Sequence, residues 1–143
     1  MRVTRIYEWD AGHRVTSHGG KCKHAHGHRY KVEATYELPT TPTSGMVLDF
    51  GIMKEVIASF IDGELDHGYM AHPADEVGAL LQNLGNKVYV MPEHIGQPTA
   101  ENIAQLIGEH LVDAFEEYPG EMVSVVVWET PNCFATWEPG ACT

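Results

Sequence analysis

Residues 22–28, which read CKHAHGH, constrain this chain more than any other segment. They place one thiol and three imidazoles within seven residues, and the alternating segment that follows predicts a strand. Side chains at positions i and i+2 of a strand point to one face, so His26 and His28 can present two nitrogens to the same ion. His24 has the same parity, and Gly27 keeps the space between the two imidazoles open. The segment therefore predicts a metal site at the start of a strand.

A third ligand is needed, because zinc held by protein side chains takes three or four of them. His13 is the candidate: it follows the strand-like residues 3–9, and a glycine-containing turn at 17–20 returns the chain toward His26. Three histidines without a fourth protein ligand leave a position for water or substrate, which is typical of catalytic zinc. The competing interpretation is an adventitious histidine tract. The internal position and the strand pattern argue against it.

The charge distribution excludes some classes of partner. A net charge of −11 argues against nucleic acid and against an anionic membrane. Yet five of the nine basic residues lie between residues 11 and 32, a window without Asp or Glu. A local positive field of this kind favours a small anionic substrate, although any one of these side chains is more often an ordinary solvated charge.

The length and the cysteines indicate one domain in a reducing compartment. The 143 residues fit a single domain, 1–143. Cys22, Cys133 and Cys142 are too few and too unpatterned for a disulfide framework. No apolar segment follows the N-terminus and no run of apolar residues is long enough to span a membrane, so we expect a cytoplasmic protein.

Hydrophobic periodicity predicts the element order β-β-α-α-β-α-β-β. Asp49 and Thr99 are the expected N-caps of the first and third helices, and Asp66-His67 falls in an irregular segment. The pattern indicates the α+β class, an antiparallel sheet with helices on one face, whose open edges favour oligomerisation. The predicted strands lie at residues 3–9 running on toward 13, 28–38, 87–91, 122–130 and 133–137, and the helices at 50–61, 76–84 and 100–115.

Separated motifs across residues 9–130 give the chain a specific resemblance. It resembles the 6-pyruvoyltetrahydropterin synthase superfamily, and the three residues between Cys22 and His26 favour the branch that forms 6-carboxy-5,6,7,8-tetrahydropterin in queuosine biosynthesis. The motifs are WDAGH at 9–13, GKC at 20–22 continuing to HGH at 26–28, VLDF at 47–50, LDH at 65–67, PTAEN at 98–102 and WET at 128–130.

The resemblance implies a tunnelling fold (T-fold), in which trimers close a barrel and pair into hexamers with active sites at subunit interfaces. It implies a zinc-dependent lyase that converts 7,8-dihydroneopterin triphosphate to 6-carboxy-5,6,7,8-tetrahydropterin, releasing acetaldehyde and triphosphate. The alternatives are a 6-pyruvoyltetrahydropterin synthase, which retains the side chain, and a catalytically silent zinc-binding homologue.

Within that resemblance, zinc is expected on His13, His26 and His28, the metal ligands already singled out. Cys22 is expected to act as a thiolate base near the cation. Asp66 is expected to orient and polarise His67.

Glu129 is expected to act in catalysis and to offer two carboxylate oxygens to adjacent N–H groups of a pterin, and Thr99 to contact substrate. Each residue also has a simpler interpretation: Asp66-His67 as a capping pair, Glu129 as an edge-strand charge and Thr99 as a helix cap. The phosphate contacts are left open among Lys21, Lys23 and Lys31.

Overall fold

The computed structural model describes residues 1–140, so Cys142 lies outside the described residues. No helix within that range has both the length and the apolar character needed to cross a membrane. The strands form one sheet in the order β4-β3-β1-β2-β5-β6. The elements are β1 (Arg2–His13), β2 (His26–Glu37), α1 (Phe50–Phe60), β3 (Gly68–Ala71), α2 (Glu76–Asn83), β4 (Val88–Val90), α3 (Ala100–Ala114), β5 (Glu121–Thr130) and β6 (Cys133–Trp137).

The β1–β2 pair is the centre of the sheet. It is antiparallel and in register from Arg2 opposite Glu37 to His13 opposite His26. On the other side of β2, strand β5 is antiparallel to it, and β6 continues the antiparallel arrangement. The predicted strands at both ends of the chain are therefore confirmed, and their register brings two candidate metal ligands face to face.

The expectation of an antiparallel sheet was wrong for β3, a strand that hydrophobic periodicity did not predict. This strand is parallel to both β1 and β4, so the sheet is mixed. With four largely buried residues, β3 is too short to show an alternating pattern. Strands β3 and β4 run parallel, and α2 supplies the crossover connection that parallel neighbours need.

Two helices cover the core face of the sheet. The apolar cluster includes Trp9, Tyr30, Ile57 and Ile107, which come from β1, β2, α1 and α3. The prediction that all helices share this face was wrong for α2. Met70 of β3 belongs to the core cluster, whereas the side chain of its neighbour Ala71 points to the opposite face of the sheet. A Cβ added at Gly78 of α2 would meet the Ala71 side chain, so α2 lies on that opposite face.

The end of α1 shapes the segment that carries Asp66 and His67. The helix continues into a π turn, Ile61–Leu65, closed by a 2.7 Å hydrogen bond from Asp66 N–H to Ile61 O. His67 then adopts a φ of 54° and donates its backbone N–H to Asp10 O at 2.7 Å. A left-handed conformation is unusual for a residue with a side chain. The turn therefore sets the direction of His67 beside β1.

Gly108 allows α3 to lie close to β6. A Cβ added there would overlap the ring of Trp137, whereas at Gly63 it would find nothing within 4 Å. Overpacking costs about 1–3 kcal/mol, more than the roughly 1 kcal/mol that alanine gains over glycine in a helix. We expect Gly108→Ala to lower the free energy of unfolding in urea, by up to about 2 kcal/mol, and Gly63→Ala to leave it unchanged or raise it. Equal stabilities of the two variants would contradict this packing.

Candidate metal and substrate site

Three histidines meet where β1 ends and β2 begins. One nitrogen from each of His13, His26 and His28 lies within 4.8 Å of the others. His13 faces His26 across the strand pair, and His28 follows two residues later on the same face of β2. The predicted set of ligands is thus brought together. The imidazole of His24 is exposed and does not belong to this group.

Hydrogen bonds define which nitrogens of the cluster are free. His13 Nδ1 lies 2.7 Å from Pro98 O, and His26 Nδ1 lies 2.7 Å from His24 O. A carbonyl oxygen can only accept, so both Nδ1 atoms carry hydrogen and both Nε2 atoms hold lone pairs in the neutral rings. His24 therefore contributes its backbone carbonyl, which orients His26.

The free nitrogens fit a bound cation. His13 Nε2 and His26 Nε2 face each other at 3.2 Å, and two neutral acceptors at that distance repel unless a proton or a cation lies between them. Ligand nitrogens about 2.05 Å from one tetrahedral zinc ion are about 3.3 Å apart. His28 Nε2 is buried without a hydrogen-bond partner among residues 1–140. The nitrogen donors and their spacing match what zinc requires.

Burial favours the neutral forms of His13 and His28. It lowers the pKa of His13, although the Pro98 carbonyl and the Glu129 carboxylate oppose the shift. It also lowers the pKa of His28, again against the effect of Glu129. Because only the neutral imidazole binds a metal, the protein environment prepares both rings for coordination near neutral pH.

A cavity of about 230 Å³ opens beside the histidines. Glu129 projects into it from the end of β5, with Oε1 at 3.4 Å from His13 Nε2 and 3.8 Å from His28 Nε2. The described lining of the cavity thus combines two imidazoles, two thiols, a hydroxyl and two carboxylates. Its lining residues are His13, Val15, His18, Cys22, Thr99, Ala100, Glu101, Glu129, Cys133 and Phe134.

Cys22 and Thr99 reach the cavity from two different turns. Cys22 lies half-buried in a short 3₁₀ turn, Lys21–Lys23, and its carbonyl accepts a 2.9 Å hydrogen bond from Val15 N–H. Thr99 Oγ1 caps α3 by accepting from Asn102 N–H at 3.4 Å. A hydroxyl that accepts one bond can still donate another, so the capping role of Thr99 is compatible with a substrate contact.

Asp66 and His67 form the predicted pair but lie outside this cavity. His67 Nδ1 donates to Asp66 Oδ2 at 2.6 Å, and Asp66 Oδ1 accepts from Asp10 N–H at 3.0 Å. Burial alone would raise the pKa of the Asp66 carboxyl, but these hydrogen bonds outweigh it and lower the pKa. The His67 side chain is 80% exposed. Within one chain, the pair is therefore presented to the outside.

Several lining residues were not anticipated as site residues. Glu101 stands in the first turn of α3, two residues after the N-cap Thr99. This position beside a predicted site residue was the signal available in the sequence. No such signal marked His18 and Cys133 in the sequence, because their places in the cavity lining depend on a loop and on the start of β6. The three lysines left open for the phosphates are not among the residues that line this cavity, and Lys31 pairs with Glu33 at 2.9 Å and lies over the Trp128 ring.

Comparisons with known proteins identify relatives along nearly the whole chain. A family model described as 6-pyruvoyl tetrahydropterin synthase matches residues 2–140. The chain is 39% identical over 137 residues to the 6-carboxy-5,6,7,8-tetrahydropterin synthase of Rickettsia bellii, covering 94% of this chain and 97% of that protein. It is 29% identical over 145 residues to the protein of the same name from Haemophilus influenzae, covering 96% and 99%.

Solved structures share the fold. The 6-pyruvoyl tetrahydropterin synthase of Caenorhabditis elegans superimposes with a TM-score of 0.71 at 23% identity, over 98% of this chain and 96% of that one. An uncharacterized protein from Wolinella succinogenes gives a TM-score of 0.84 at 22% identity, over 97% and 98%. The expected α+β tunnelling fold is thereby confirmed.

The lowered histidine pKa values predict how the stability of the metal-free protein depends on pH. Below the ordinary histidine pKa of 6.5, the unfolded chain binds more protons than the folded chain, so protonation favours unfolding. With a chelator present, the free energy of unfolding should therefore fall as the pH is lowered from about 7.5 to about 5.5. Urea titrations at several pH values measure this.

A control variant separates the cluster from another buried histidine. The pKa of His110, which stacks on Phe60, is also lowered by burial. His110→Gln should remove only part of the pH dependence, because His13 and His28 remain. A variant whose stability no longer changes with pH would assign the whole effect to His110.

Proposed function

The chain belongs to the 6-pyruvoyl tetrahydropterin synthase family, and we propose that it is the zinc-dependent lyase that converts 7,8-dihydroneopterin triphosphate to 6-carboxy-5,6,7,8-tetrahydropterin. Acetaldehyde and triphosphate are the other products, and the reaction serves queuosine biosynthesis in the cytoplasm. The observation that carries the proposal is the group of acceptor nitrogens on His13, His26 and His28, which borders a cavity containing a thiol and carboxylates.

The choice of the carboxy-forming reaction has two supports. Relatives at 39% and 40% identity carry that name, and three residues separate Cys22 from His26. The structural neighbours named 6-pyruvoyl tetrahydropterin synthase are below 25% identity and support the fold alone. A silent homologue has no need for a thiol and carboxylates arranged around the histidines.

His13, His26 and His28 would hold the zinc ion. When bound, zinc supplies Lewis acidity, which polarises substrate hydroxyl oxygens and makes the neighbouring carbon more acidic. The protein's own part is to favour neutral His13 and His28 through burial and to orient His13 and His26 through the carbonyls of Pro98 and His24.

Cys22 is the proposed base. Cys22 borders the same cavity as His13 and Glu129, so its thiol can face a substrate carbon placed there. In this proposal Cys22 Sγ takes a proton from the substrate side chain.

Asp66 and His67 are proposed to act on a substrate bound to another copy of the chain. The pair is formed and oriented, but it points outward and does not line the cavity of its own chain. In the described part of the chain, β4 and β6 are the two ends of the sheet, and unpaired edges can pair with further strands. A trimer or hexamer with active sites at subunit interfaces would bring His67 of one copy to the cavity of the next.

Glu129 is proposed to accept hydrogen bonds from the ring of the substrate and to assist proton transfer beside the histidines. It reaches the histidines through Oε1, and its carboxylate can accept from two neighbouring N–H groups. Thr99 offers a hydroxyl on the same cavity. Glu101 is a second carboxylate among the described lining residues, so it is the competing acceptor for the ring.

The reaction is tested by incubating the zinc-loaded protein with 7,8-dihydroneopterin triphosphate. We expect acetaldehyde and 6-carboxy-5,6,7,8-tetrahydropterin as products. Cys22→Ala should lower the rate by about 10²–10⁴ with zinc content unchanged, since that is the usual contribution of a positioned proton-transfer group. Cys133→Ala is the matched control, because Cys133 lines the same cavity and should keep the rate within a few-fold.

Other results would revise the proposal in defined ways. A product that retains the full three-carbon side chain would make the protein a 6-pyruvoyltetrahydropterin synthase. Loss of zinc from Cys22→Ala would make Cys22 a ligand. Equal rates for the two cysteine variants would remove Cys22 from the mechanism.

Glu129→Gln should weaken binding of a pterin product analogue at least tenfold. The substitution keeps the size of the side chain but replaces one acceptor by a donor that would face another donor, and a hydrogen bond to a charged group contributes about 1.5–3 kcal/mol. Glu101→Gln is the matched variant, titrated under the same conditions with zinc content as a control. If Glu101→Gln alone loses affinity, Glu101 holds the ring and Glu129 acts only beside the metal.

A further inference from the structure

Asp75 is an unusual residue in this fold. Among residues 1–140, the buried side chains of polar or charged type are those of His13 and Asp75, each 2% exposed. Asp75 caps α2 by accepting from Val77 N–H at 2.9 Å. A helix cap does not require burial, and Asp49 performs the same role for α1 on the surface. The burial of Asp75 therefore needs another explanation.

The further partners of Asp75 are connected to the residues on either side of His13. Arg14, the residue after His13, donates to Asp75 Oδ1 from Nε at 2.8 Å and also pairs with it through its terminal nitrogen. Tyr69 donates its hydroxyl to Asp75 Oδ2 at 3.2 Å. The Tyr69 ring in turn lies against Gly12, the residue before His13, where an added Cβ would stand 3.1 Å from Tyr69 Cδ2.

The charge of Asp75 is maintained despite its burial. Burial alone would raise the pKa of this carboxyl, but the hydrogen bonds from Arg14, Val77 and Tyr69 and the positive charge of Arg14 outweigh it and lower the pKa. Buried ion pairs of this type contribute little net stability, because desolvation opposes the attraction. Their best-supported role is to select one geometry.

We infer that Asp75 is a positioning residue for His13, and that it sets the affinity of the proposed metal site. The inference rests on the proposed zinc-dependent function. Asp75 holds the backbone on both sides of His13, through Arg14 and through Tyr69 against Gly12. The β1–β2 register sets His13 opposite His26 and the Pro98 carbonyl orients the ring itself, while Asp75 braces the residues on either side of His13 so that this placement is held closely.

Small displacements matter at this position. A zinc–nitrogen bond has a length of about 2.0–2.1 Å, so a ligand that moves by a few tenths of an ångström loses much of its bond. Outer partners that hold metal ligands in place typically change metal affinity by about 10–100-fold when mutated. An effect of this size is expected even though Asp75 does not contact the metal.

The experiment compares three variants with the parent protein. Zinc dissociation constants are measured by competition with a chromophoric chelator, and the visible spectrum of the Co²⁺-substituted protein reports ligand geometry. We expect Asp75→Asn to weaken zinc binding at least tenfold and to alter the Co²⁺ spectrum, and Arg14→Lys to weaken it at least threefold, because lysine keeps the charge but not the two-nitrogen contact. Asp49→Asn makes the same substitution at another helix cap and should stay within twofold of the parent.

The outcomes separate the inference from the function on which it rests. If the parent protein binds no zinc, the proposed function fails. If the parent binds zinc and the folded Asp75→Asn and Arg14→Lys variants bind it equally well, with unchanged Co²⁺ spectra, Asp75 only stabilises the fold and the inference is overturned. Circular dichroism establishes whether each variant is folded at the assay temperature. If Asp75→Asn is unfolded, the zinc affinity of Arg14→Lys decides whether the inference holds.

Discussion

The antiparallel register that sets His13 opposite His26 is the constraint on which the rest of the site depends. It brings two nitrogen lone pairs to 3.2 Å, and the carbonyls of Pro98 and His24 prevent either ring from relieving the contact by exchanging its tautomer. Such an arrangement is unfavourable in an empty site and favourable around a cation. The strand pair that forms the centre of the sheet therefore also assembles the ligands for a metal.

The groups needed for the proposed chemistry are divided between two regions of the chain. Cys22, Thr99 and Glu129 line the cavity beside the histidines, whereas the π turn and the left-handed His67 direct the Asp66-His67 pair outward. This division is the physical reason for proposing active sites between subunits. A single chain holds Cys22, Thr99 and Glu129 around its cavity and presents Asp66 and His67 at its surface.

Local chemistry made several features predictable from sequence. His26 and His28 share a face because strand side chains alternate, and Asp49 and Thr99 cap helices because their side chains accept from free N–H groups. Features that depend on long-range packing were not predictable in this way. Strand β3 is too short for a periodic signal, α2 lies on the unexpected face because Gly78 packs on Ala71, and Glu101 gains access to the cavity only when α3 is placed.

The sequence by itself determined which three histidines meet, the family and the order of most elements, because residue types, strand alternation and helix capping act over a few positions. Only the tertiary structure decided the tautomers of His13 and His26, the separation of His67 from the cavity and the burial of Asp75 between Arg14 and Tyr69. Each of these depends on contacts between residues distant in the chain. Side-chain type indicates what a residue can donate or accept, and only the packed fold determines which partner it meets.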